Sequence, residues 1–344
     1  MQMPREILIG KDATDHIIEI FKELGFRESA FIVTGTKTYK ILGRRVLEIL
    51  EDSGIEVDYH IAKYTDSHEV ESIERRIKGR RFDVILGVGG GSKIDLAKFT
   101  SFKLNTPFIS IPTSASHDGI ASPVASIEML GKPYSMMTQS PIAVIVDTEV
   151  IIKSPYRFTA SGCGDAIAKF TAVKDWKLAK FMKGEYYGDY AASLAELGAK
   201  HVVENAELIQ PNNEEGLRIL LEALISCGVA MGIAGSSRPC SGSEHLFCHA
   251  LKVLKNPPPL HGESCGVGSI LMAYIHNLDW NAIKDALRKV GAPTNSEELN
   301  VEPEIIVKAM ILARDIRPER YTILNERRLT YEEAEEIAVT TGVI

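Results

Sequence analysis

The sequence predicts an α/β domain built on a parallel sheet, followed by a mostly helical domain. Three observations carry that prediction. Over the first 150 residues, short β-rich runs alternate with helical stretches, the pattern of repeated βαβ units. Beyond Ser154-Pro155 strand-like alternation largely disappears and apolar residues take helical spacing, as in Ile167, Phe170, Val173 and then Leu178, Phe181. A chain of 344 residues also exceeds the roughly 250–300 that one hydrophobic core usually supports. The expected division is 1–153 and 154–344.

In chain order, the expected strands are Ala30–Val33, Val57–Ile61, Val84–Val88, Phe108–Ile111 and Ala143–Val146. Helices are expected at Asp12–Leu24, Thr38–Ser53, Glu69–Lys78 and Ile94–Lys103. Ala125–Ile127 and Tyr134–Met136 flank Gly131-Lys132, which predicts a β-hairpin inserted before the last strand. Near the other end, Thr330-Tyr331-Glu332-Glu333 has the form of a capping box opening the final helix. No internal repeat and no low-complexity linker interrupts the two halves.

Composition excludes several classes of function. With 45% hydrophobic and 25% charged residues the chain is an ordinary globular one. Its net charge of −7, from 39 basic and 46 acidic residues, and its lack of a dense basic block argue against binding nucleic acid or an anionic membrane. The opening Met1–Glu6 lacks the apolar core of a signal peptide. The longest apolar stretch, Leu220–Gly235, is broken by Glu222 and Ser226 and is shorter than the roughly 20 residues of a membrane span. It is expected to be a buried core helix, with no stable membrane insertion. The cysteines, Cys163, Cys227, Cys240, Cys248 and Cys265, are odd in number and without C-x-x-C spacing, which fits free thiols in a reducing cytoplasm.

The apolar run Val84–Val88 passes directly into Gly89-Gly90-Gly91-Ser92, and a helix is expected from Ile94. Strand, glycine turn and helix N-terminus make an anion site: glycines let the backbone approach a phosphate, and free N–H groups and the helix dipole favour negative charge. A bare βα turn is the alternative, but such a turn rarely needs three glycines. The loop is neither G-x-G-x-x-G nor a Walker loop, and it follows the third expected strand rather than the first, so alone it indicates a phosphate or pyrophosphate and nothing finer.

A second polar loop, Pro112-Thr113-Ser114-Ala115-Ser116-His117-Asp118-Gly119 followed by Ile120-Ala121-Ser122-Pro123, leaves the carboxyl end of the next strand, where open α/β sheets bind ligands. Thr113, Ser116 and Ser122 can bond a phosphate or an amide, and Asp118 can accept from a sugar or polyol hydroxyl.

The second half holds Ser161-Gly162-Cys163-Gly164-Asp165 ahead of a helix, His245 and His249 four residues apart on one helical face, and His261 after a proline run. Asp165 as a helix N-cap, the histidines as packed core residues and His261 as a loop residue are the plain alternatives. One carboxylate with two or three histidines suits a divalent metal with an open position. A thiolate-rich zinc site using Cys163, Cys248 and Cys265 is the less favoured variant, because paired C-x-x-C motifs are absent.

Taken in order, Gly89-Gly90-Gly91-Ser92 with Asp95, Pro112-Thr113, Gly164-Asp165, His245 and His261 resemble the superfamily of glycerol dehydrogenase, iron-containing alcohol dehydrogenases and dehydroquinate synthase over nearly the whole chain. Within it, Pro112–Gly119, Ser122–Ser126, Gly164–Lys169, Asp175-Trp176, Ser237-Arg238-Pro239, Ser243-Glu244-His245 with His249, and His261-Gly262-Glu263 are most similar to the archaeal sn-glycerol-1-phosphate dehydrogenases. The resemblance implies a Rossmann-like domain, a helical metal-binding domain, and an active site in the cleft between them. It implies reversible, zinc-dependent reduction of dihydroxyacetone phosphate by NADH or NADPH to sn-glycerol 1-phosphate, the backbone of archaeal phospholipids, by a cytoplasmic homo-oligomer.

Carried over residue by residue, Asp165, His245 and His261 are the implied zinc ligands and catalytic centre, with Asp118, Asp165 and His249 at the substrate. Gly89, Gly90, Gly91, Ser92, Lys93, Ile94, Asp95, Thr113, Ser114, Ala115, Ser116 and Ser122 are implied at the cofactor. Arg238 is the candidate for the substrate's phosphate. Iron or nickel would suit the same ligands. The stretch Val33-Thr34-Gly35-Thr36-Lys37-Thr38 offers no acid to repel a 2′-phosphate, which predicts use of both NAD and NADP. The rival readings are a glycerol dehydrogenase acting on unphosphorylated polyol, a lyase of the dehydroquinate synthase type, and a regulatory nucleotide-binding protein without catalysis.

Overall fold

A computed structural model describes residues 3–129 and 132–344. The chain divides into two compact units that meet in sequence between Pro155 and Tyr156.

The first unit is a six-stranded sheet. Its strands are β1 (Glu6–Gly10), β2 (Ser29–Gly35), β3 (Glu56–Ala62), β4 (Val84–Gly89), β5 (Phe108–Pro112) and, after a hairpin of β6 (Val124–Met129) and β7 (Lys132–Met137), β8 (Ala143–Asp147). They lie in the order β1-β8-β5-β4-β2-β3 and every pairing is parallel. Between them run α1 (Ile17–Leu24), α2 (Arg44–Asp52), α3 (Ser67–Arg76) and α4 (Gly91–Lys103), with α5 (Thr148–Ile152) after β8.

The two faces can be read from alternate residues. Ala30, Ile32, Val84, Leu86 and Val88 join Ile17, Phe21, Val46 and Leu50 of α1 and α2 in one core. Phe31, Val33 and Ile85 join Val70, Ile73, Ile94 and Ala97 of α3 and α4 in the other. Helices cover both faces, so the central strands are continuous apolar runs.

One expectation is corrected: β1 precedes what the sequence reads as the first strand. It is an edge strand with exposed Ile7, paired only with β8. The glycine turn therefore follows the fourth strand, not the third. In the sheet order β4 lies between β2 and β5, and the chain winds outward in opposite directions from β2 and β4. The carboxyl ends of β2 and β4 thus flank the topological switch point, where such sheets take ligands. The hairpin pairs as expected, with Ala125 opposite Met136 and Ile127 opposite Tyr134, while its turn at Gly131 lies outside the described residues.

The second unit contains α6 (Tyr156–Ile167), α7 (Lys169–Lys183), α8 (Asp189–Glu204), α9 (Glu214–Ala234), α10 (Ser243–Leu254), α11 (His261–Ile275), α12 (Trp280–Lys289), α13 (Pro303–Ile316) and α14 (Tyr331–Thr340). The apolar stretch forms most of α9, packed against α6 and α8. At 21 residues α9 is longer than expected and long enough by composition to cross a membrane, but 56% of its apolar window is buried within the unit. The box at α14 forms as read: Glu333 N donates to Thr330 Oγ1 at 3.2 Å and Thr330 N to Glu333 Oε2 at 2.8 Å.

Glycines set the α6–α11 crossing. A Cβ on Gly262 would stand 1.7 Å from the Ser161 carbonyl oxygen, and one on Gly164 would stand 2.2 Å from that of Gly262. Only hydrogen at both positions allows the two backbones to touch.

Candidate active site

In the first unit Gly90 caps α4, which begins at Gly91, three residues earlier than expected. Gly91 and Ser92 thus belong to the first helical turn, whose N–H groups lack intrahelical acceptors and face the carboxyl end of β4. The second loop meets this turn. Thr113 N donates to Gly89 O at 3.0 Å, and Ser114 Oγ lies 3.4 Å from where a Gly90 Cβ would be. The His117 ring rests against Gly91, its Nε2 only 1.8 Å from the position a Cβ would take there. Gly119 N donates to His117 Nδ1 at 2.9 Å, so the neutral ring carries its proton on Nε2, beside the turn. His117 stood in the loop as read from sequence, but no role there was assigned to it.

Other expected cofactor residues have structural duties. Ile94 is wholly in the core, which leaves only its backbone for contact. Asp95 accepts from Lys98 at 3.3 Å and from Ser126 N at 3.0 Å. Fully buried Lys98 donates to Gly119 O at 2.8 Å and Val124 O at 2.7 Å. Together these two side chains tie the second loop and the hairpin to α4. Ala115 is buried, and buried Ser122 bonds weakly to Val124. Thr38, read as room for a 2′-phosphate, uses its hydroxyl to cap its own turn, accepting from Gly35 N at 2.9 Å. Lys93 instead spans this end of β2: its Cε is 3.1 Å from the Gly35 Cβ position, and Nζ donates to Tyr64 O at 3.0 Å. Ser92 is exposed, and Ser116 and Asp118 are partly exposed at the tip of the second loop.

In the second unit the expected donors converge. Asp165 is not an N-cap; it lies in the last turn of α6, fully buried, because Gly162 and Gly164 serve helix packing rather than a turn. His245 lies in the first turn of α10 and His261 opens α11, where Glu263 caps Leu260 N at 3.0 Å. Both histidines aim Nε2 at Asp165 Oδ1, at 3.5 Å for His245 and 3.7 Å for His261. Cys265, one turn along α11, completes a group whose ligand atoms all lie within 4.8 Å of one another. Cys163 and Cys248 are not among these donors.

The surroundings fix the ligand atoms. Glu244 Oε1 lies 2.7 Å from His245 Nδ1, which assigns that nitrogen a proton and turns Nε2 toward Asp165. Glu244 is itself held by Thr171 Oγ1 and Gly242 N, each at 2.7 Å. Cys248 Sγ is 3.3 Å from His261 Nδ1. Lys169 Nζ, also fully buried, is 2.9 Å from Asp165 Oδ1. Burial alone would raise the Asp165 carboxyl, but Lys169 and the two imidazoles outweigh it and hold the group well below the usual carboxylate range. Burial would likewise lower His245, yet Asp165 and Glu244 push it up to about 9. A buried carboxylate, two imidazole nitrogens whose protons a metal would displace, and a nearby thiol are a donor set that a divalent metal fits.

Two sequence-stated residues fall outside this group. His249 lies one turn beyond His245 on α10, and its ring makes no hydrogen bond among the described residues. Burial pushes it well below its usual value, with further help from Lys252, His261 and Arg317, so it is neutral. Arg238 does not serve as an open phosphate donor. It is buried, forms a two-pronged ion pair with Glu185 and donates to Tyr321 O at 2.8 Å. Sequence reading also left Glu244 and Lys169 without roles; the signal for Glu244 was adjacency to a histidine, and for Lys169 a position four residues after Asp165.

Residues 8–155 match the family described as iron-containing alcohol dehydrogenase. A glycerol-1-phosphate dehydrogenase (NAD(P)+) of Thermococcus kodakarensis is 49% identical over 344 residues, covering 100% of this chain and 98% of that protein. One from Methanosarcina mazei is 48% identical, covering 100% and 96%. Among solved structures, glycerol dehydrogenase from Schizosaccharomyces pombe matches with a TM-score of 0.80 at 20% identity, covering 99% of this chain and 89% of that one. Maleylacetate reductase from Agrobacterium tumefaciens matches at 0.77 and 16% identity, covering 99% and 97%. These structural likenesses establish the fold, and the full-length identities establish the family. The chain belongs to the glycerol-1-phosphate dehydrogenases, NAD(P)-dependent oxidoreductases of the iron-containing alcohol dehydrogenase superfamily.

Proposed function

We propose that this protein interconverts dihydroxyacetone phosphate and sn-glycerol 1-phosphate with NADH or NADPH, using zinc held by Asp165, His245 and His261. The observation that carries the reading is the convergence of both Nε2 atoms on a buried, ionised Asp165, with Glu244 fixing one imidazole. A divalent metal at these donors supplies a Lewis acid for the substrate's carbonyl oxygen. The chain's own residues do the rest. Lys169 keeps Asp165 ionised, Glu244 and Cys248 hold the imidazoles in orientation, and neutral His249 offers an N–H to the substrate. In the first unit, the amides of the glycine turn, Ser114 and the Nε2 of His117 bind the cofactor's pyrophosphate.

Lys93 over the end of β2, with no acid between Gly35 and Thr38, supports acceptance of a 2′-phosphate. The same reading makes the protein a cytoplasmic homo-oligomer that supplies glycerophosphate for membrane phospholipids. Oxidation of NADH and NADPH by the zinc-loaded protein with dihydroxyacetone phosphate, followed by chiral analysis of the product, tests it. An sn-3 product, or turnover unaffected by chelation, would refute it; negligible turnover with NADPH beside NADH would refute the dual cofactor use.

A further inference from the structure

With Arg238 committed to Glu185, the proposed substrate's phosphate has no assigned partner. The segment after α13 offers one. Arg317 directly follows that helix, which packs along α10, the helix of His245 and His249. The segment is strapped to the start of α10. Arg320 donates to Ser241 O at 2.5 Å and to Ser237 Oγ at 2.7 Å, just ahead of Ser243. Three residues later Ile323 N donates to Asp175 Oδ1 at 2.7 Å, and Asp175 Oδ2 accepts Ser243 N at 2.6 Å. Residues 317–321 are thereby fixed beside the amino-terminal half of α10.

The charges in this cluster are not balanced. Arg238 has Glu185, and Glu244 is engaged with His245, Thr171 and Gly242. Among the described residues Arg320 has only a carbonyl and a hydroxyl for direct partners. The Arg317 side chain makes no hydrogen bond and no ion pair among the described residues, although it is partly buried. Burial lowers its protonation below that of a free guanidinium, and only Glu319, exposed and two residues on, opposes this. Arg320 is likewise lowered to about 10, first by burial and then by Arg238 and Arg317. His249, neighbour to Arg317, also has no hydrogen-bond partner among the described residues. A half-buried guanidinium beside a second one and an unpartnered imidazole is costly unless an anion joins them.

We propose that Arg317, with Arg320 beside it and His249 across from it, holds the phosphate monoester of the substrate. This assignment rests on the reading of the substrate given above. A guanidinium meets a phosphate through two parallel N–H···O bonds, a geometry a lysine does not reproduce.

Two measurements on the zinc-loaded, full-length protein test it. In the first, inorganic phosphate is titrated calorimetrically into the wild type, Arg317→Ala and Arg317→Lys. In the second, kcat/KM is compared for dihydroxyacetone phosphate and dihydroxyacetone. Charge-assisted bonds of this kind predict about ten- to hundredfold weaker phosphate binding in Arg317→Ala. They predict a similar fall in the ratio of the two kcat/KM values, carried by KM, with partial recovery in Arg317→Lys. The KM for NADH stays unchanged, which separates this site from the cofactor's own phosphates. Unchanged phosphate binding, or equal losses for both ketones, would overturn the inference. A wild type that binds phosphate through Arg317 yet fails to reduce dihydroxyacetone phosphate would uphold the anion site and reject the substrate reading.

Discussion

Replacing Gly262 by alanine tests how the fold creates the donor cluster. The added Cβ would stand 1.7 Å from the Ser161 carbonyl oxygen and 2.6 Å from its carbonyl carbon, against the 3.0 Å below which Cβ atoms essentially do not approach a neighbour. The obstacle is helix backbone, which cannot rotate aside, so α6 and α11 must separate by about 1.3 Å at this point. His261 is the preceding residue on α11, and Asp165 lies one turn beyond Ser161 on α6, so the shift falls on the 3.7 Å approach of His261 Nε2 to Asp165. Overpacking of this kind costs about 1–3 kcal/mol. In a unit of this size that is a fall in melting temperature of roughly 2–12 °C. Displacing a donor pair by about 1 Å should weaken zinc affinity roughly ten- to hundredfold. The assay is calorimetric melting of the metal-free protein, paired with zinc competition against a chelator. Gly10→Ala, where nothing lies within 4 Å of the added atom, is the control expected to leave both unchanged. If Gly262→Ala melts with the wild type and holds zinc equally well, the glycine crossing does not position the donors.

Other predictions follow from neighbouring contacts. Glu244→Gln removes the carboxylate at 2.7 Å from His245 Nδ1 and should lower zinc affinity about ten- to hundredfold, read by the same competition. Lys169→Met leaves buried Asp165 without its cation and should destabilise the metal-free protein by about 3–5 kcal/mol, read by urea unfolding. Asp83 accepts N–H bonds from Arg27, Glu28 and Ser29 at 3.1, 2.9 and 3.4 Å. Burial opposes its ionisation, but these bonds prevail and hold its pKa below the ordinary 3.8. Its contribution is therefore full above that value and drains away as pH falls through the lower, folded-state one. Asp83→Asn should be less stable than the wild type at pH 7, with the gap closing in acid; a gap constant down to pH 2 would contradict the assignment.

What the sequence disclosed followed its physics. Phe31 and Val33 against Ala30 and Ile32 announce a strand buried on both faces, and three glycines after Val88 announce a phosphate turn. The edge strand β1 carried no such signal: one face is open, and its partner β8 lies more than a hundred residues away. Asp165 was legible as a donor but set ahead of a helix rather than in the last turn of one, since Gly162 and Gly164 look like a turn to local propensity and like a packing groove only once α11 is present. The same tertiary dependence hid His117, which matters only where Gly91 and Gly119 leave room for its ring. Arg238 failed as a phosphate donor because proximity in sequence to His245 said nothing of Glu185.

Asp165, His245 and His261 are separated by stretches of 79 and 15 intervening residues and sit on three different helices. No short segment of the unfolded chain can present this trio, so an ion bound by it reports that all three helices have docked. Binding to the native state alone adds about 2.7 kcal/mol of stability when free ion reaches a hundred times its dissociation constant. An ion held there would thus double as a clasp on the tertiary fold. Starving cells of metal should shorten the lifetime of the protein itself, since an unclasped helical unit opens more often to proteases.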